Sequence, residues 1–157
     1  EEIIKFLVAI LIIYRTRANE SPIDAMIYCA SVALGFAAIE NTLIVFQTQP
    51  EGVAVTINTL LLRFIGATLL HALSSGLLGY FLAISWFFRH HRKKLLIIGL
   101  LMATIFHFAF NIIIYTFEGQ ITALLYTTAL LLGMAFLISI LFDRLKSRHT
   151  NTTYYGA

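Results

Sequence analysis

The chain has 157 residues, 59% of them hydrophobic and 12% charged, with a mean hydropathy of +0.86. A soluble domain of this length covers its surface with roughly twice that share of charge, so a water-soluble globule is excluded. The net charge of +3 lies mostly in short loops beside apolar runs, where it orients membrane spans and gives no nucleic-acid signal.

Apolar runs recur at the length a bilayer demands, roughly 20 residues per helical span. None alternates polar with apolar as barrel strands do. The expected fold is therefore all-α, a polytopic transmembrane helical bundle of about five membrane segments. The first segment covers residues 1–14. It begins inside an apolar helical pattern (Ile3, Ile4, Phe6, Leu7, Val8) with no initiator Met, and is expected to be truncated. A polar loop follows at 15–22, in which Ser21 and Pro22 mark a helix start. The second span covers 23–46, and a turn at 47–52 contains Pro50. The third segment runs through 55–88 and is closed by the basic run Arg89, His90, His91, Arg92, Lys93 and Lys94. The fourth covers 95–117, followed by a turn at Glu118, Gly119 and Gln120. The fifth covers 121–142. Residues 1–142 thus form one transmembrane domain, and 143–157 a polar cytoplasmic tail. Cys29 is the one cysteine, which rules out an intrachain disulfide and suits a small packing residue within a span.

If the spans alternate, Arg15, Arg17, the 89–94 run, Arg144, Lys146 and Arg148 all fall on one side. The two remaining turns carry Glu51 and Glu118 and no Lys or Arg. The positive-inside rule makes the basic side, with the C-terminus, cytoplasmic. The clean separation supports the segment count, because one missed span would mix the two kinds of loop.

Ionisable groups inside the apolar segments are costly, so they face the bundle interior and mark function. They are Glu1, Glu2, Lys5, Glu40, Arg63, His71 and His107, joined by the amides Asn41 and Asn111. Counting helical rise from the cytoplasmic ends puts Glu1 and Glu2 roughly 18–20 Å up, Glu40 and His71 about 25 Å, and His107 about 18 Å. Four segments thus place carboxylates and imidazoles in one slab. Gly99, Ala103, His107 and Asn111 step by four along one helix face, as do Ala67, His71 and Ser75; Ala33, Ala37, Glu40 and Asn41 share another. Small residues beside the polar groups permit close helix approach. Each residue also has a structural reading. Glu1 and Glu2 could simply be exposed, Lys5 could pair with Glu1 or Glu2 one turn away, and Glu40 with Asn41 could be a hydrogen-bonded packing pair. Arg63 suits either an interfacial anchor or a partner for an acid. A lone His71 or His107 would more often be a packing residue, but two at one depth beside acids favour function. His90 and His91 read as solvated loop residues.

With these residues in view, the chain resembles the PrsW family of intramembrane proteases. The matching stretches are 1–5, 35–41 with Glu40 and Asn41, Arg63 to His71, and His107 with Asn111; residues 21–28 match as well. Any one of these is weak, but four in this order are specific. The resemblance implies cleavage of a membrane-anchored, single-span substrate such as an anti-sigma factor in a bacterial cytoplasmic membrane. The layout is also similar to the prenyl-protein endopeptidase and bacteriocin-processing superfamily, whose members usually carry histidine where this chain has Glu40. Family members are called metalloproteases, yet relatives have been viewed as glutamate-dependent without a metal.

Two mechanisms fit the residue types. In one, zinc is held by some of Glu40, His71 and His107, with Glu1 or Glu2 as general base. In the other, a glutamate takes the proton from water, a histidine orients it and Asn111 stabilises the oxyanion. Lys5, Asn41 and Arg63 are supporting residues in both. An ion- or proton-coupled transporter, or a non-catalytic membrane scaffold, would also bury such a cluster.

Overall fold

The computed structural model describes residues 1–16, 21–117 and 120–155, and every regular element among them is helical. Five helices follow in chain order: α1 (Glu2–Thr16), α2 (Pro22–Thr48), α3 (Val53–Phe87), α4 (Arg92–Thr116) and α5 (Ile121–Tyr155). Helices α2 to α5 are each long and apolar enough to cross a membrane, whereas α1 has 15 residues. The chain is a multi-pass helical membrane protein. Arg17 and the expected turn residues Glu118 and Gly119 lie outside the described residues.

Local chemistry sets the helix ends. Ser21 caps α2 by accepting from the Ile23 N–H, and its own N–H donates to Asp24 Oδ2 at 2.7 Å. With Pro22 in the first turn, this is a complete capping box. Between α2 and α3 a 3-10 turn, Gln49–Glu51, ends at Gly52, whose φ of 112° is open only to glycine. A second 3-10 turn, Arg89–His91, reverses the chain into α4, so Arg92, Lys93 and Lys94 belong to the first turn of that helix. Helix α5 continues past residue 142, where its apolar run stops, as far as Tyr155. No Gly or Pro interrupts that stretch, and fully buried Leu145 pins it against Ala9, Ala25 and Leu82.

Helix α3 is the hub and touches each of the other four. Two apolar clusters pack around it. One joins Ala9, Ala25, Met26, Cys29, Leu82, Ala83 and Leu145 toward the basic end. The other joins Leu70, Phe106, Phe110 and Leu131. Leu70 is the neighbour of His71 on α3, so the second cluster shares its level with the buried polar groups.

Glycines set how closely the hub can be approached. A Cβ on Gly79 would lie 2.6 Å from Met26 Cα and 2.8 Å from Ala25 O, and one on Gly99 would lie 2.6 Å from Phe81 Cβ. Backbone contact of this kind is how membrane helices gain packing energy when hydrophobicity cannot drive them together. Gly79→Ala is expected to destabilise the bundle by about 1–3 kcal/mol through overpacking. Gly133→Ala, with nothing within 4 Å of the added methyl, should be neutral or slightly stabilising. Equilibrium unfolding in mixed micelles distinguishes the two.

Candidate active site

Four helices deliver one polar layer. Helix α1 brings Glu2 and Lys5, with Glu1 immediately before it; α2 brings Glu40 and Asn41; α3 brings Arg63, Thr68, His71 and Ser74; α4 brings His107. Glu2 and Lys5 are 4% and 2% exposed, and a charge so buried persists only with partners. Lys5 Nζ donates to Glu2 Oε1, one turn back on α1, and to His71 Nδ1 at 2.9 Å. Glu2 Oε1 also meets His107 Nδ1 at 2.8 Å and accepts from Ser74 Oγ at 3.3 Å. Its second oxygen, Oε2, is buried and has no hydrogen bond among the described residues.

On the far side of His71, Nε2 lies 2.8 Å from Glu40 Oε2. Arg63 then grips two neighbours on α2: Nη2 is 2.9 Å from Glu40 Oε1, and Nε donates to Asn41 Oδ1 at 3.2 Å. Asn41 in turn donates to Thr68 Oγ1 at 3.1 Å. A continuous chain therefore runs from Thr68 and Asn41 through Arg63, Glu40, His71, Lys5 and Glu2 to His107. The imidazoles stand edge to face with centroids 5.0 Å apart, and Phe36 packs on His71 at 5.6 Å.

Hydrogen bonding assigns the tautomers. His71 accepts from the Lys5 ammonium at Nδ1, so its proton sits on Nε2, toward Glu40. In the neutral ring, His107 carries its proton on Nδ1, toward Glu2. The two nitrogens that keep lone pairs are the two that face Glu1: His71 Nδ1 at 4.0 Å and His107 Nε2 at 3.5 Å from Glu1 Oε2. One ligand atom from each of Glu1, His71 and His107 lies within 4.8 Å of the other two.

This donor set fits a divalent cation. Two histidines and a glutamate are a recognised catalytic zinc set, and each imidazole has a carboxylate behind its other nitrogen, as metal-bound histidines usually do. Charge agrees: Glu1, Glu2 and Glu40 face Lys5 and Arg63, three negative groups against two positive, so neutral imidazoles leave one charge uncompensated.

Most of the expected residues meet. Glu40 meets His71 at Nε2, the nitrogen opposite the one that faces Lys5 and Glu1, with its other oxygen committed to Arg63; the clustered ligand atoms belong to Glu1, His71 and His107. Asn111 is exposed and has no hydrogen-bond partner among the described residues. The reason is helical drift, since a step of four residues turns about 40° past a full rotation. The buried face of α4 follows Gly99, Ala103, Phe106, His107 and Phe110, which leaves Asn111 at its margin. Sequence reasoning passed over Ser74 and Thr68. Ser74 lies three residues from His71 and so shares its face, whereas Ser75, placed there by a step of four, is buried with no side-chain hydrogen bond among the described residues. His90 and His91 are exposed and pack edge-on to each other.

Comparison with known proteins gives a family and two relatives. Residues 1–141 match the family described as PrsW family intramembrane metalloprotease. The chain is 29% identical over 152 residues to Protease PrsW of Oceanobacillus iheyensis, covering 97% of this chain and 65% of that protein. It is 26% identical over 117 residues to Protease PrsW of Shouchella clausii, covering 74% of this chain and 51% of the relative. The chain thus spans between half and two thirds of the length of these curated relatives. No solved structure gives a significant match.

Removing the buried ammonium should expose how far the layer depends on pairing. Lys5→Met leaves Glu2 without a cation and is expected to cost about 3–5 kcal/mol. Adding Glu2→Gln should recover part of that loss, because the orphaned charge is gone. A double-mutant cycle by unfolding in micelles measures the coupling.

Proposed function

The chain belongs to the PrsW family of intramembrane proteases, and on that premise we propose that it hydrolyses a peptide bond in a membrane-anchored, single-span protein of the anti-sigma-factor kind. The observation that carries the proposal is the convergence of Glu1, His71 and His107, with one ligand atom of each within 4.8 Å of the others. Family membership favours proteolysis over the transporter and scaffold readings. The basic loops and C-terminus are then cytoplasmic, in a bacterial inner membrane.

Hydrogen bonding divides the labour between the two adjacent glutamates. Glu1 Oε2 faces His71 Nδ1 and His107 Nε2, whereas Glu2 is buried and bound by Lys5, His107 and Ser74. Glu1, His71 and His107 would hold a divalent metal, zinc by the chemistry of the set, which when bound supplies Lewis acidity and lowers the pKa of water. Glu40 and Glu2 keep the two imidazoles in the tautomers that turn their lone pairs toward Glu1. Glu2, whose Oε2 has no hydrogen-bond partner among the described residues, takes the proton of the attacking water and returns it to the leaving amine. Asn111 presents an exposed amide, without a hydrogen-bond partner among the described residues, at the margin of α4, where hydrocarbon would leave it costly. It therefore faces the substrate's path and donates to the developing oxyanion.

A second reading rests on one contact. Lys5 Nζ already stands 2.9 Å from His71 Nδ1, a nitrogen that a metal would need. If that ammonium stays, Glu1 is itself the base that takes the proton from water, and His107 Nε2 orients the water.

The test uses the full-length protein in liposomes with a single-span substrate. Glu1→Gln, His71→Ala and His107→Ala should each lower cleavage by about 100-fold or more, and Asn111→Ala by about 100-fold, with folding retained. Cys29→Ala, remote in the apolar core, should cleave normally. Wild-type cleavage by folded Glu1 and His variants would refute the site. Zinc analysis should find the metal in wild-type protein and not in His71→Ala, and a chelator should stop cleavage. Undiminished cleavage by metal-free protein selects the second reading.

A further inference from the structure

Arg63 lies eight residues before His71 on α3, roughly 12 Å along the helix axis. Its contacts among the described residues are with α2: Nη2 is 2.9 Å from Glu40 Oε1, and Nε donates to Asn41 Oδ1 at 3.2 Å. Both partners are committed on their other side. Glu40 Oε2 lies 2.8 Å from His71 Nε2, and the Asn41 amide donates to Thr68 Oγ1 at 3.1 Å. What a guanidinium adds to such a chain is direction. Its N–H groups lie in one rigid plane, and here that plane fixes a carboxylate and an amide at once. Glu40 is thereby held by one oxygen, with the other left for the imidazole.

His71 is held at both nitrogens, by Lys5 at Nδ1 and by Glu40 at Nε2. The two holds are not equivalent. Nδ1 also faces Glu1 Oε2, at 4.0 Å, so a cation bound among Glu1, His71 and His107 takes that nitrogen and displaces the ammonium. Glu40 is then the hydrogen-bonding group that still fixes the ring. The geometry points to Arg63 as a positioning residue for His71, acting through Glu40. It orients the carboxylate so that the imidazole keeps its proton on Nε2 and its Nδ1 lone pair on the cluster. The assignment rests on the proposed role of His71 and extends it to a side chain more than two helical turns away. A guanidinium that served only to join α2 to α3 would act equally well without the second oxygen of Glu40.

Nuclear magnetic resonance of the full-length protein in liposomes, with isotope-labelled histidine, tests the assignment; the His71 signal is the one lost in His71→Gln. In wild type the His71 Nε2 proton should be hydrogen-bonded and protected from exchange. Arg63→Met should lose that protection and lower zinc affinity by about 10–100-fold, as Glu40→Ala does. Arg63→Met added to Glu40→Ala should cause no further loss, because a residue acting through Glu40 then has nothing to act on. Arg63→Lys, which keeps the charge without the planar fork, should restore part of the protection. Gly79→Ala, which loosens the bundle where α3 meets Ala25 and Met26, should leave the proton protected and so separates positioning from a general loss of stability. Wild-type protein that binds no zinc, yet shows a protected proton that Arg63→Met exposes, would remove the metal from the proposed function and leave the role of Arg63 in place. An unprotected proton in wild type, full protection in Arg63→Met, or losses that add in the double variant would overturn the assignment.

Discussion

A charge inside a membrane must be paired, and in this protein the pairs are made between helices. Lys5 on α1 holds Glu2 and reaches His71 on α3; His71 reaches Glu40 on α2; Glu2 reaches His107 on α4. None of these four helices can shift along or rotate about its axis without separating an ion or a hydrogen-bonded imidazole from its partner in a medium of low dielectric. The ionic layer therefore fixes relative register, and the apolar clusters pack around a register already specified. The same demand explains Arg63, which ties Glu40 and Asn41 together near the other end of the span.

The price of that arrangement is thin packing elsewhere. Large apolar side chains such as Ile39, Phe46, Phe64, Ile65, Tyr115 and Phe136 are exposed and face lipid, so the hydrophobic effect supplies little of the cohesion between helices. Cohesion comes from close backbone approach at Gly79 and Gly99, and from satisfied polar groups between helices. Stability and chemistry therefore share residues: the carboxylates that lock α1 to α4 and α2 to α3 are those that turn the imidazole lone pairs to one point.

That point is formed by groups far apart in sequence, and two neighbouring glutamates enter it differently. Glu2 Oε1 is bound by Lys5 and His107, while Glu1 Oε2 faces a nitrogen of each histidine. One residue step of about 100° on α1 thus turns two chemically identical carboxylates to different partners.

Much of this was legible from the chain alone. Span lengths follow from bilayer thickness, the start of α2 from Ser21, Pro22 and Asp24, and the polar candidates from the cost of charge in hydrocarbon. All of these depend on composition or on contacts within a few residues. The tertiary structure decided which carboxylate faces which nitrogen: Glu40 behind His71, Glu1 between the histidines, Ser74 engaged and Ser75 not, Asn111 at the margin of α4. It also decided that α5 continues through Leu145. The physical reason is angular. Each residue turns the helix by about 100°, and the small drift that separates a buried face from its margin is set by how two helices cross. That crossing is a property of the packed bundle and of no single segment.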